Sequence, residues 1–156
     1  MPDDTRLKIA HLHEYPQFVN TVAQWIHDEW WTGAPGYTPE TVAARLREAS
    51  TPGRIPLTLV GLMDEMPVGT VSLWVHDDDT PPELTPWLAA LYVLPQERGR
   101  GMGTRLTLRL LDEARRLRVR TLYLSTPIPD FYRRLGAEIH SRVGGDRWIM
   151  RLGVGP

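Results

Sequence analysis

Leu91-Tyr92-Val93-Leu94-Pro95-Gln96-Glu97-Arg98-Gly99-Arg100-Gly101-Met102-Gly103-Thr104-Arg105-Leu106 decides how the rest of the chain is read. An apolar run ends in a loop with three glycines, and the loop passes directly into a segment with apolar residues at helical spacing. Glycines let the backbone come close to a ligand, successive amides at such a bend face inward, and the helix N-terminus adds partial positive charge. The stretch therefore predicts a strand-to-helix turn that binds a phosphate or pyrophosphate, with Arg98 and Arg100 adding charge at its rim. A Walker loop ends in Gly-Lys-Ser/Thr, whereas Gly103 is followed by Thr104-Arg105. A dinucleotide fingerprint needs GxGxxG and an acidic residue about 20 positions on. Here the loop reads GRGMGT and Leu122 to Leu124 is apolar. The bland alternative is a tight glycine turn whose arginines only keep a surface wet.

Upstream, WLAALYVL from Trp87 to Leu94 is a continuous apolar run, the pattern of a central strand buried on both faces. LTLVGL from Leu57, a turn over Asp64 to Pro67, and VGTVSLWV from Val68 predict an antiparallel hairpin before it. Nearer the N-terminus, Phe18, Val22, Trp25, Ile26 and Trp30 have helical spacing between Pro16 and Trp31. Gly33, Pro35 and Gly36 break that helix, and Thr38-Pro39 starts a second one that runs to about Ala49. Downstream of the loop, Met102, Leu106, Leu110, Ala114 and Leu117 make one buried stripe of a third helix. Val119 to Thr126 then reads as a strand parallel to the central one, reached by a right-handed crossover. A short helix from Pro129 to Leu135 closed by Gly136, and a hairpin turning at Gly144-Gly145-Asp146, complete an α+β arrangement around one mixed sheet.

Composition narrows the possible partners. A chain of 156 residues with 42% hydrophobic residues suits one core, so residues 1–156 are read as a single domain. The formal net charge of -1 argues against a nucleic-acid partner. Lys8 is the only lysine, and the arginines gather between Arg98 and Arg120, so a positive site can form without a positive protein. The absence of cysteine excludes a disulfide, a thiolate metal ligand and a cysteine nucleophile. The opening MPDDTRLKIA mixes acids and bases, and no run approaches the roughly 18 apolar residues of a membrane span, so a cytoplasmic protein with no membrane partner is expected.

The run from Val93 to Gly103, followed by Leu106, resembles the acetyl coenzyme A signature of the GNAT acetyltransferase superfamily, R/Q-x-x-G-x-G/A, with Arg98, Gly101 and Gly103 in its defined positions. Phe131-Tyr132-Arg133-Arg134-Leu135-Gly136-Ala137 resembles the FYxxxGF element of the same family, with Ala137 in place of its last aromatic. The implied fold is mixed α/β: a mostly antiparallel twisted sheet of six to seven strands, about four helices, and a splayed central parallel strand pair. The implied cosubstrate is acetyl-CoA, with no metal. Its pantetheine arm would pair with Leu91, Tyr92 and Val93, and its pyrophosphate would lie on the amides of Arg98, Gly99, Arg100, Gly101, Met102, Gly103 and Thr104. Ser125 on the next strand joins this cofactor set, and Tyr132 matches the tyrosine that protonates the departing thiolate.

The implied reaction is transfer of an acetyl group to a primary amine, that of a small molecule, by direct attack in a ternary complex. The attacking nitrogen must be neutral, so a group has to take a proton from an ammonium whose pKa lies near 10. Trp87 to Ala90, where some relatives place a glutamate, holds no carboxylate. Glu83, Glu29, Asp77 and Asp78 are the alternatives, together with a base acting through water. Asp77, Asp78, Asp79 and Glu83 near the cleft mouth favour a cationic acceptor, and Trp30 or Trp31 could line its pocket. His11 and His13, two apart as on one strand face, lack a third ligand and read as ordinary polar residues. A non-catalytic coenzyme A sensor and an enzyme acting on a protein amine stay open, as does a monomer or a homodimer.

Overall fold

The computed structural model describes residues 6–49, 53–77 and 80–155. Within them the elements run β1 (Leu7–His11), α1 (Val19–Trp30), α2 (Pro39–Glu48), β2 (Leu57–Met63), β3 (Met66–Trp74), β4 (Trp87–Val93), α3 (Met102–Arg116), β5 (Thr121–Thr126), α4 (Pro129–Arg133), β6 (Glu138–Val143) and β7 (Arg147–Gly153). They build one sheet in the order β1-β2-β3-β4-β5-β7-β6. Every neighbouring pair is antiparallel except β4 and β5, which are parallel. This is the mixed, mostly antiparallel architecture expected, with β1 added as an edge strand that the sequence pattern did not reveal.

Two apolar layers explain why the sheet is central. Leu12, Val22, Ile26, Val42 and Leu46 pack with Val60 and Leu62 on one face, while Leu106, Leu110 and Ala114 pack with Leu57, Leu59, Val71 and Leu73 on the other. Successive strand residues point to opposite faces, so a strand sandwiched between helices must be apolar throughout or must satisfy its polar groups internally. β3 takes the second course. Its hydroxyl residues Thr70 and Ser72 are fully buried. The Thr70 hydroxyl donates to the Leu59 carbonyl at 2.8 Å, and Ser72 shares a 2.8 Å hydrogen bond with Thr58.

Helix boundaries follow their caps. Thr38 and Thr41 form a reciprocal capping box at the start of α2, with Pro39 in its first turn. A 3-10 turn over Pro16–Phe18 precedes α1, so the α-helix proper begins three residues later than the periodicity suggests. α4 ends at Arg133, and Gly136 adopts φ +96, the left-handed conformation expected of it. The β2–β3 turn is tighter than expected. Asp64 and Glu65 alone make it, at φ 49 and 66, so Met66 and Pro67 already pair with Met63 and Leu62.

The expectation that β4 is buried on both faces along its length needs correction. Trp87, Leu88 and Ala89 are buried, but Ala90 to Val93 are only half-buried. Two backbone features cause the change. β5 registers with β4 only at Trp87 opposite Tyr123, and the strands separate beyond that point. Thr70 faces Tyr92 while Ser72 faces Ala89, so β4 carries one extra residue, and Ala90 in this bulge sits at φ 55. The apolar run is real, but half of it lines an opening rather than a core.

Candidate active site

The opening between β4 and β5 is a cavity of about 1000 Å³. Its walls are β4 from Leu88 to Val93, β5 from Leu124 to Thr126, the loop into α3, and Tyr132 of α4. That volume is at the upper end of what small-molecule sites enclose. The cavity exists because the two parallel strands part, leaving main-chain edges on each side without a partner strand.

At one end lies the glycine loop. Gly99 and Gly101 hold φ +81 and +79, and Gly101 is the left-handed residue from which α3 starts. Main-chain amides from Gly99 to Thr104 have no backbone acceptor among the described residues; the N–H of Arg105 is the first that does, on the Gly101 carbonyl at 3.0 Å. A helix N-terminus leaves such donors free by its geometry and adds positive potential. The turn therefore fits a diphosphate through its own backbone. Arg98 folds back over β4, where its Nε donates to the Val93 carbonyl at 2.8 Å and its guanidinium lies 5.4 Å from the Tyr92 ring centre. It thereby fixes the loop against the strand end.

Of the residues expected to hold the cosubstrate, Leu91, Tyr92, Val93, Arg98, Gly99, Gly101, Met102, Gly103, Thr104 and Ser125 all line the cavity. Arg100 does not, because it turns outward and pairs with Glu97 at 3.4 Å. Gly103 faces Phe131 of α4: a Cβ there would lie 3.5 Å from Phe131 Cζ, an ordinary van der Waals contact.

Tyr132 stands deeper in the opening. It is 7% exposed and set edge-on to Phe131, with ring centres 4.9 Å apart. Its hydroxyl has no hydrogen-bond partner among the described residues, yet no side-chain oxygen is sealed without one, so the hydroxyl faces the cavity. Burial pushes its phenol up to about 12, with the positive charge of Arg147 pulling the other way. The phenol thus keeps its proton through any physiological pH.

The far end of the cavity is bounded by Glu29, Trp30, Trp31, Trp74, Asp77 and Thr80. Trp31 stacks on Tyr37 at 4.5 Å and lies parallel to Trp74 at 6.3 Å, and the Arg45 guanidinium is 5.4 Å from both indoles. This wall is rigid and aromatic. Trp30 and Trp31, expected to border an acceptor pocket, are there, joined by Trp74; Trp25 packs on Tyr92 and Trp87 is fully buried. Glu29 and Asp77 line the cavity but Glu83 does not, so Glu83 is poorly placed for a base, while Asp78 and Asp79 lie outside the described residues.

His11 and His13 do not share a strand face, since β1 ends at His11 and His13 lies in a 3-10 turn. His11 instead meets the buried carboxylate of Glu113 at 3.2 Å. Among the described residues, no cluster of three or more His, Cys, Asp or Glu could hold a metal, and no helix is long and apolar enough to cross a membrane.

One cavity residue had no sequence signal. Arg147 opens β7 directly after the glycine turn and reaches across β5, its Nε donating to Ser125 Oγ at 3.1 Å and its Nη2 to the Ser125 carbonyl at 2.9 Å. A lone arginine before a tryptophan looks like any exposed strand position. Only the β5–β7 register, with Ser125 opposite Ile149, brings it to the opening.

Comparison with protein-family models matches residues 20–137 to the acetyltransferase (GNAT) family. Among solved structures, an aminoglycoside 6'-N-acetyltransferase complexed with coenzyme A is 17% identical, with TM-score 0.74 and coverage of 96% of this chain and 98% of the other. The aminoglycoside 6'-N-acetyltransferase of Enterococcus faecium is 18% identical, with TM-score 0.69 and coverage of 96% and 98%. YncA of Salmonella typhimurium with its cofactor acetyl-CoA is 18% identical, with TM-score 0.77 and coverage of 97% and 95%. At these identities the likeness is one of fold. A comparison with curated protein sequences gives no match.

Proposed function

The chain belongs to the GNAT acetyltransferase family, and from that premise we propose that it transfers the acetyl group of acetyl-CoA to a primary amine of a small molecule, by direct attack within a ternary complex. The observation that carries this reading is a single cavity running from the unpaired amides of Gly99 to Thr104 to the phenol of Tyr132. Acetyl-CoA, when bound, supplies an activated acyl group and a thiolate leaving group.

The residues divide the work by position. Amides of the loop and the N-terminus of α3 hold the diphosphate, and the free edge of β4 from Leu91 to Val93 pairs with the amide-bearing arm. Tyr132 presents a proton where sulfur departs. A phenol near 12 is a weaker acid than a thiol near 8.5, so full transfer to a finished thiolate is uphill by about 5 kcal/mol. Tyr132 therefore acts chiefly as a hydrogen-bond donor to charge as it develops on sulfur, which is the electrostatic form of acid catalysis. Glu29 and Asp77, the carboxylates at the acceptor end, draw an ammonium to the opening and give its proton an exit through water.

Isothermal calorimetry with acetyl-CoA, followed by a thiol-release screen across amine classes, tests the proposal. Binding heat and thiol release with at least one amine are expected, and Tyr132→Phe should keep the heat while turnover falls by roughly 100-fold or more. Absence of heat, or heat without release from any amine, would sink it.

A further inference from the structure

The walls of the acceptor end carry opposite charge. Glu29 and Asp77 stand on the side built by α1 and the segment after β3, together with three indoles. Arg147 stands on the side built by β5 and β7, and it is the cation among the cavity residues at that end, Arg98 being committed to the loop. An acceptor that is merely cationic would match one wall and be repelled by the other.

Arg147 is held for a ligand. Its Nε and Nη2 are fixed by the side chain and carbonyl of Ser125, which locks the guanidinium plane, while Nη1 has no partner among the described residues. A guanidinium locked along one edge with donors left over is suited to a planar oxyanion. Arg147 and Tyr132 line the same cavity and the phenol feels the arginine's charge, so an anionic group on Arg147 and an amine beside Tyr132 fit within one small acceptor.

We propose that Arg147 is the carboxylate subsite of the acceptor, and that the acceptor is an α-amino carboxylate whose side chain lies against Trp30, Trp31 and Trp74. This deepens the acetyltransferase reading and rests on it. Its carboxylate faces Arg147, and its nitrogen is turned toward Tyr132 and away from the cation. The N–C bond forms as the thioester C–S bond breaks. Of the three ammonium protons, one remains on the amide nitrogen, one goes to solvent by way of the carboxylate wall, and sulfur ends with one. Opposed charges of this kind select a dipolar ligand in one orientation more than they add affinity.

The test compares phenylalanine, phenylalaninamide and phenethylamine, which share one ring and one primary amine and of which only phenylalanine carries a carboxylate; because the carboxamide makes its amine more acidic, each rate is taken per neutral amine. Thiol release should favour phenylalanine over its amide by tenfold or more in kcat/KM. Arg147→Met should bring that ratio near unity, with Arg147→Lys restoring part of it. The ratio cancels any effect of Arg147 on Tyr132 or on folding, because both acceptors meet the same variant. In parallel, indole fluorescence is titrated with phenylalanine in the presence of coenzyme A, where Arg147→Met should weaken binding about tenfold. Equal or better turnover of the amide and the amine overturns the subsite while leaving the acetyltransferase reading intact. If no amine is turned over, that reading fails, and the titration decides the subsite: phenylalanine that fails to bind, or binds the variant equally well, overturns it.

Discussion

Replacing Tyr132 by phenylalanine removes one oxygen from the cavity wall and should change how stability depends on pH. Burial raises the phenol from the ordinary 10 to about 12, so the folded protein keeps a proton that the unfolded chain releases. The resulting stabilisation is complete below pH 10 and is lost as pH rises through 10 toward 12, because there the unfolded state binds fewer protons. Two units at 1.36 kcal/mol each set a ceiling of about 2.7 kcal/mol, of which about 1.9 kcal/mol should be gone by pH 11.5. Urea denaturation at pH 7.5 and pH 11.5 measures this for both proteins. Other tyrosines and Lys8 titrate in each, so the informative quantity is the difference between the two losses, with wild type falling further by about 1.9 kcal/mol. If the phenylalanine variant loses as much stability as wild type, the phenol is not desolvated. Tyr132 would then be an ordinary surface tyrosine, and the claim that it keeps its proton beside the reacting sulfur would fall with it.

Two further substitutions probe what holds the cavity open. At Gly69 a Cβ would lie 3.0 Å from Leu106 Cδ1 and 3.1 Å from the Tyr92 carbonyl oxygen, and a carbonyl in a paired strand cannot step aside as a side-chain tip can. Gly69→Ala should cost about 1 to 3 kcal/mol, read as a lowered Tm, and should weaken acetyl-CoA binding in calorimetry because the push falls on β4 at the cavity wall. Glu113 Oε1 receives His11 Nε2 at 3.2 Å, Arg109 Nη2 at 3.1 Å and Arg116 Nη1 at 3.1 Å, tying α3 to β1. Glu113→Gln should cost about 2 to 3 kcal/mol in urea unfolding and speed amide exchange in β1, whereas an unchanged midpoint would mean the partly exposed arginines already screen the charge.

Periodicity exposed most of the fold because most of it obeys a single period. α3 is legible in Met102, Leu106, Leu110 and Ala114, all buried, and α2 in the Thr38-Pro39 start that became a capping box. β1 was missed for a reason that can be named: LKIAH is a five-residue edge strand with Lys8 exposed and Ile9 half-buried, too short for alternation to stand out. β3 poses the opposite problem, since its hydroxyls carry no sign of where they lie. Only the second helical layer and the hydroxyl bonds to Leu59 and Thr58 explain why Thr70 and Ser72 are dry.

The half of the cavity proposed for the cofactor has a signal in the sequence and the half proposed for the acceptor has none, because the two are built differently. A diphosphate site of the kind proposed is built from local backbone geometry, and local geometry leaves glycines at fixed spacing: Gly99 and Gly101 adopt positive φ. The proposed acceptor end is assembled from segments far apart in the chain, Glu29 and Trp31 from one helix and its exit, Trp74 from a strand end, and Arg147 from the last hairpin. No spacing links them. What joins them is the parting of β4 from β5 after one registered pair, close to an extra residue at Ala90 which an apolar run conceals. A residue such as Arg147 therefore becomes visible only once the register of β7 against β5 is known. For the same reason, acceptor preference should be able to change through single substitutions at Trp31, Trp74 or Arg147 while the glycine loop and the binding of acetyl-CoA stay as they are.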